Sequence, residues 1–350
     1  MAKSARKQAS STIVNRTVPR RAPNTELRPS ITVVIFCWHI CLISESMGHC
    51  DVPQERRPAL DAYRTKRGQW LAWLNTDAHH AVWTAISAMV WTDVSFRTLA
   101  QLATDNEKSS LSNTLIAEQI IYGHVAREVL AIRRLVDKTR GVISLRRLIP
   151  DLRSNFHLFT RENYVCHDGL PYDYKAVMLK EFAERLGQGP FWAATTGPQA
   201  HSTSRMAHEQ FDRLAGIDPA KRTREDCLPI ALLDTIESWL DASGADELAD
   251  WSHAFLAHAG TPQSREKIAA ALVAVDKISD ATRMLARVTE AISAYILFAG
   301  GRLNSLMPTA QFDVLENLDK PAMPVGRKSE SYAYGSAPSA TVILTAWTLT

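Results

Sequence analysis

Residues 248–260 read LADWSHAFLAHAG. Two histidines, His253 and His258, stand five apart in this short apolar run. Asp246, Glu247 and Asp250 lead into it, and Gly260 and Pro262 close it. An imidazole titrates near neutral pH, so either ring could move a proton. Each helical residue turns about 100°, so residues five apart point about 140° apart. Both rings enter one small site only if the helix is distorted, and His258 is the better catalytic candidate. The competing reading of His258 is a core histidine bonded to a carbonyl or carboxylate.

A second stretch, TRENYVCHDGLPYDY at 160–174, gathers Arg161, Glu162, His167, Asp168 and Asp173. Tyr164 and Val165 favour extended chain, and Gly169, Leu170 and Pro171 force a turn, so we expect an extended loop. Loops carry binding residues more often than helices do. Three readings compete. Arg161 and His167 could be a phosphate clamp and an acid/base pair, with Asp168 and Asp173 beside them as binding groups. His167 and Asp168 could be the HD dipeptide of helical metal-dependent phosphohydrolases, a chemistry that wants the pair on a helix with further ligands facing it. Or the segment is a structured loop whose tyrosines pack on the helices and whose Arg161 pairs with an acid.

The other histidines offer little. His79 and His80 are adjacent and face two directions. His201 and His208 are seven apart, where four is the usual helical metal spacing. His124 and His157 are isolated in sequence. No metal site and no cofactor are expected.

The elements that must position these residues are helices. From about 55 to 318 the apolar residues recur at spacings of three and four. Leu60, Tyr63, Trp70, Trp73 and Leu74 mark a first helix. A second follows Asp77 as N-cap. Leu115, Val125, Val129, Ile132 and Val136 mark a long third. Ser144 caps SLRRLIPDLRSNFHLF, which Pro150 should kink or break. DYKAVMLKEFAERLG should stop at Gly187, and further helices follow through a long amphipathic one over 264–299. No alternating pattern calls for a sheet. The expected fold is all-α, a helical bundle with long antiparallel helices, in one integrated domain.

The 350 residues are 46% apolar and carry a net charge of +3. Residues 1–30 hold seven Lys or Arg against Glu26, or +6, so the other 320 residues sum to −3. That mildly acidic body argues against a broad nucleic-acid surface. Five cysteines without a CxxC pair suggest free thiols in a reducing, cytoplasmic compartment. The apolar run ITVVIFCWHICLI at 31–43 is short for a membrane span. After its basic lead it could be read as a signal peptide, but no small-x-small cleavage site follows. The reading we adopt takes 1–46 as a disordered or non-native extension before Met47, 47–320 as the all-α domain, and 321–350 as a disordered tail.

Trp251, Phe255, Leu256, Ala257 and His258, followed by a long helix, resemble the C-terminal part of a HEPN domain of the abortive-infection branch. That family's pattern is Arg, a polar residue, and a His four to six residues after the Arg. Here Ser252 stands at the Arg position and His253 at the polar one. The resemblance implies an all-α bundle, a homodimer, and metal-independent endoribonuclease chemistry in phage defence or a toxin system. In that chemistry His258 moves a proton while a cation neutralises the phosphate. With Ser252 in place of Arg, the motif is degenerate, and Arg161 is the cation that could arrive from another element, with His253 as a weaker substitute. The alternative is a non-catalytic helical module that binds a protein partner or a nucleotide in a bundle groove.

Overall fold

The computed structural model describes residues 51–105, 110–186, 194–257, 261–266, 268 and 273–303. These all belong to one unit, Met47–Thr350. His258, the Gly187 stop and the two terminal segments lie outside the described residues.

The chain is all-α. Its helices are α1 (Arg57–Leu71), α2 (Val82–Asp105), α3 (Thr114–Leu135), α4 (Leu145–Ser154), α5 (Arg161–Cys166), α6 (Tyr174–Arg185), α7 (His201–Ala215), α8 (Ala231–Asp241), α9 (Ala245–Ser252), α10 (Pro262–Arg265) and α11 (Val275–Glu290). The described residues contain no strand, only one antiparallel bridge between Thr160 and Cys227. No described helix is long and apolar enough to cross a membrane.

Local sequence accounts for most boundaries. Asn113 caps α3 by accepting the amides of Leu115 (3.1 Å) and Ile116 (3.4 Å). Ser144 caps α4 as expected, its Oγ accepting the Arg147 amide at 3.2 Å. Gly216 ends α7 at φ +66°, a left-handed conformation that costs glycine little.

Four expectations are corrected. Asp77 caps no long helix; its Oδ1 accepts the amides of His79 (3.0 Å) and His80 (2.6 Å), a local turn ahead of α2. Pro150 does not break α4, which runs on to Ser154. Four buried leucine and isoleucine side chains on its inner face outweigh the one hydrogen bond the proline lacks. The last helix is α-helical only over Val275–Glu290 and continues as a wider π-helical turn, Ala291–Ile296. Finally, 160–174 is not an extended loop throughout. Thr160 Oγ1 accepts the Asn163 amide at 3.3 Å and starts the six-residue α5.

Packing joins the elements in two neighbourhoods of one hydrophobic core. α3 packs against α9, α2 and α11, and α11 against α2 and α8. On the other side α5 contacts α7 and α1, and α6 lies on α7. Trp70 of α1 stacks on Phe159 at 5.5 Å, and Tyr63 meets the same ring edge-on at 5.2 Å.

A short helix such as α5 cannot stand on its own hydrogen bonds. What fixes it is Arg161, whose side chain is 0% exposed. Its Nη1 donates to Asp212 of α7 and its Nε to Asp226, both at 2.7 Å. The guanidinium also lies 4.5 Å over the Phe211 ring. Arg222 pairs with Asp212 as well. Burial pushes the Asp212 carboxyl up, but the Arg222 and Arg161 hydrogen bonds hold it below the usual range. Arg161→Ala leaves these buried carboxylates short of a cation, so it should cost about 3–5 kcal/mol in urea denaturation. A loss under about 1 kcal/mol would show that Arg161 does not hold this region together.

Candidate functional site

Of the tasks open to Arg161 in the sequence, the structure shows the pairing with acids. Three of its contacts are spent on Asp212, Asp226 and Phe211, and the remaining Nη2 is buried without a partner. It cannot meet a phosphate at the surface. His167 is buried too, and its Nδ1 lies 2.7 Å from the Tyr164 carbonyl. A carbonyl only accepts, so Nδ1 carries the proton. Burial first, and then the charge of Arg67, hold this imidazole well below its usual pKa, so it is neutral. Asp168 is half-buried, and burial raises its carboxyl against the pull of Arg67 and Arg64. Asp173 is exposed and caps α6 through the Ala176 amide at 3.0 Å. The expected clamp is thus a structural helix and its flanking turn.

The quoted histidine stretch is more informative. Gly244 opens α9 at φ +72°, and α9 packs along α3. Trp251 and Ser252 close it, 7% and 0% exposed. Ser252 occupies the position where the family pattern has arginine. The next residues, His253–Ala257, form a π-helical turn. A π-turn closes residue i on i+5 and so widens the helix locally. The helix is distorted over His253–Ala257.

His253 is exposed on this turn, and Phe255 packs partly against the core. A cation reaches the turn from α10. The Arg265 guanidinium lies 5.9 Å from the Phe255 ring centroid, and its Nε has no hydrogen-bond partner. Sequence reasoning missed Arg265 because it sought the cation before the histidine. The signal was present as the first arginine after Pro262.

A second cluster was also missed. His124, read as isolated, is not. It stacks on Phe96 with centroids 4.1 Å apart and planes 9° from parallel, and its Nε2 lies 4.0 Å from Asp93 Oδ1. One turn along α3, Glu128 is 1% exposed and neither carboxylate oxygen has a partner. Both histidine nitrogens are unpartnered as well. The sequence signal was two polar residues at i and i+4 beside the apolar seam of Val125, Val129 and Ile132. Among the described residues, no three His, Cys, Asp or Glu side chains are placed to hold a metal ion. His201 instead pairs with Glu181 at 3.0 Å, and His208 Nε2 donates to the Tyr172 carbonyl at 2.9 Å.

Comparison with protein-family models, curated proteins and solved structures finds no match to this chain.

Burial raises the Glu128 carboxyl to about 8, with Asp93 adding and Arg127 opposing; the Thr92 hydroxyl, which donates to the Ala88 carbonyl, lowers it least. The folded state therefore holds a proton that the unfolded chain releases above its ordinary carboxylate range. Stability from this group is full below that range and is lost as pH rises to about 8. Glu128→Gln should gain on the order of 4 kcal/mol relative to the wild type between pH 5 and pH 9, read from urea midpoints. Parallel pH profiles for the two proteins would refute a neutral, buried Glu128.

Proposed function

We propose that this chain is a HEPN-like protein acting on RNA, in phage defence or a toxin system, with its chemistry at the π-turn. The observation that supports the reading is Arg265. It brings a guanidinium to the turn that carries His253 and leads to His258, where the family pattern would have placed an arginine at the buried position 252. A ribose 2′-oxygen attacks the neighbouring phosphorus. The new O2′–P bond forms as the P–O5′ bond breaks, leaving a 2′,3′-cyclic phosphate and a 5′-hydroxyl. His258 takes the 2′ proton, and the exposed His253 is placed to return one to the leaving oxygen. Arg265 balances charge on the phosphate oxygens as it builds. No metal takes part in this scheme.

The test is incubation of labelled RNA with the wild type, His258→Ala and Arg265→Ala, with and without chelator. We expect at least a 100-fold loss for His258→Ala, about 10- to 100-fold for Arg265→Ala, and no effect of chelator. Equal products from the wild type and His258→Ala would end the catalytic reading.

A second reading has its own support. α6 leaves an apolar stripe uncovered: Met178 is 42% exposed, Leu179 65%, Phe182 69% and, just past the helix, Leu186 75%. The stripe amounts to roughly 500 Å², the size of a functional patch, and two copies face to face would bury about 1,000 Å², the lower bound of a specific interface. Lys175, at one end of the stripe, would then sit by the partner helix's C-terminus, where the helix dipole is negative. This supports a binding module that pairs with a second copy of itself. Light scattering should give a dimer for the full chain and a monomer for Leu179→Glu with Phe182→Glu. A wild-type monomer at 100 μM, on the order used for weak dimers, would refute it.

A further inference from the structure

A cleft of about 330 Å³ opens where the end of α1 faces the turn before α4, lined by Gln69, Trp73, Arg140, Gly141, Arg147 and Asp151 among others. Arg146, Arg153, Arg161, Arg222 and Arg224 are each committed to carboxylates. Arg140, exposed, and Arg147, half-buried, make no side-chain hydrogen bond or ion pair among the described residues. The single carboxylate in the cleft does not answer them. Asp151 already accepts Lys66 (3.1 and 3.2 Å) and the Trp70 indole (2.6 Å).

The rest of the lining adds further donors and a flat wall. Gly141 takes φ +88° with open space where a Cβ would stand. The amides of Val142 and Ile143, which follow it, donate to no main-chain carbonyl among the described residues. Two amides without a main-chain acceptor, near two guanidiniums, favour an anion. Trp73 is half-buried, with part of its indole packed on the core and part facing the cleft. An indole face stacks a nucleobase without regard to sequence, and the exposed Gln69 amide can meet a base edge. The volume exceeds what an inorganic phosphate fills and suits one nucleotide.

We propose that this cleft binds a nucleoside phosphate, with Arg140 and Arg147 on the phosphate and the base against Trp73. It shares no residue with the π-turn and stands without the RNA-cleavage reading. The shared chemistry is a phosphate next to a base, carried by a free nucleotide or by one unit of a single-stranded chain.

The experiment is calorimetric titration of the full chain with AMP, adenosine and a 5′-phosphorylated oligouridylate. AMP or the oligonucleotide should bind, adenosine at least tenfold more weakly than AMP. The double variant Arg140→Ala, Arg147→Ala should lose at least tenfold in affinity with its melting temperature unchanged. Tighter binding of the oligonucleotide than of AMP assigns the cleft to a nucleic-acid chain, and the reverse assigns it to free nucleotides. No binding of either at millimolar concentration, undiminished binding by the double variant, or equal binding of AMP and adenosine would overturn the proposal. The double variant Arg140→Ala, Arg147→Ala should cleave labelled RNA as the wild type does, so loss of this site and loss of cleavage are told apart.

Discussion

The buried guanidinium of Arg161 is the constraint on which one side of the molecule rests. A charge at 0% exposure is tolerated only when its partners are fixed. Here they come from two other places in the chain, Asp212 on α7 and Asp226 in the segment before α8. The consequence spreads outward. Asp226 also accepts the amide and hydroxyl of Thr223, and Asp212 is shared with Arg222. Next to this core of charge, Glu162 takes Arg224, which reaches Asp51 at 3.1 Å and lies 4.1 Å over Tyr172. A six-residue helix that could not persist alone is thus held in register with α1 and α7. Removing the central cation leaves its neighbours wrongly charged, which is why such a pair costs more to break than it contributes when made.

The opposite neighbourhood solves the same problem differently. Along α3, His124 and Glu128 point inward with no opposing charge close enough to pair fully. Each stays buried by giving up its charge. Burial lowers the His124 pKa against the pull of Asp93, and burial raises the Glu128 carboxyl to about 8. Near neutral pH both are uncharged, and the cost of burial is small compared with two ions. One core therefore contains two strategies for polar groups, compensation at Arg161 and neutralisation at α3.

These differences mark where sequence is legible. Long helices could be read because period 3.6 repeats over many turns, as on α3 with Val125, Val129 and Ile132, and because caps such as Ser144 are local chemistry. α5 could not, because its six residues have β-favouring Tyr164 and Val165 and are helical for a tertiary reason, the Arg161 pairs. Pro150 misled for a similar reason: four inward apolar side chains outweigh one missing amide. At the candidate site, the histidine pair was visible, but the π-turn that begins at His253 was not. A π-turn leaves no local signature in composition, and Arg265 approaches through space. The commitment of Arg161 to buried acids was among the readings weighed, and the number of arginines with acidic partners does not tell which pair forms.

The π-turn and the serine at 252 belong to one argument. Inserting a π-turn spends an extra residue per turn, so everything after it is rotated by about 100° relative to an α-helix of the same length. Ser252 is buried at the end of α9, and the next residue, His253, is exposed at the start of the turn. The element that follows in sequence, α10, brings Arg265 to the Phe255 ring of the same turn, so the turn carries an exposed imidazole at its start and an arginine beside its apolar side.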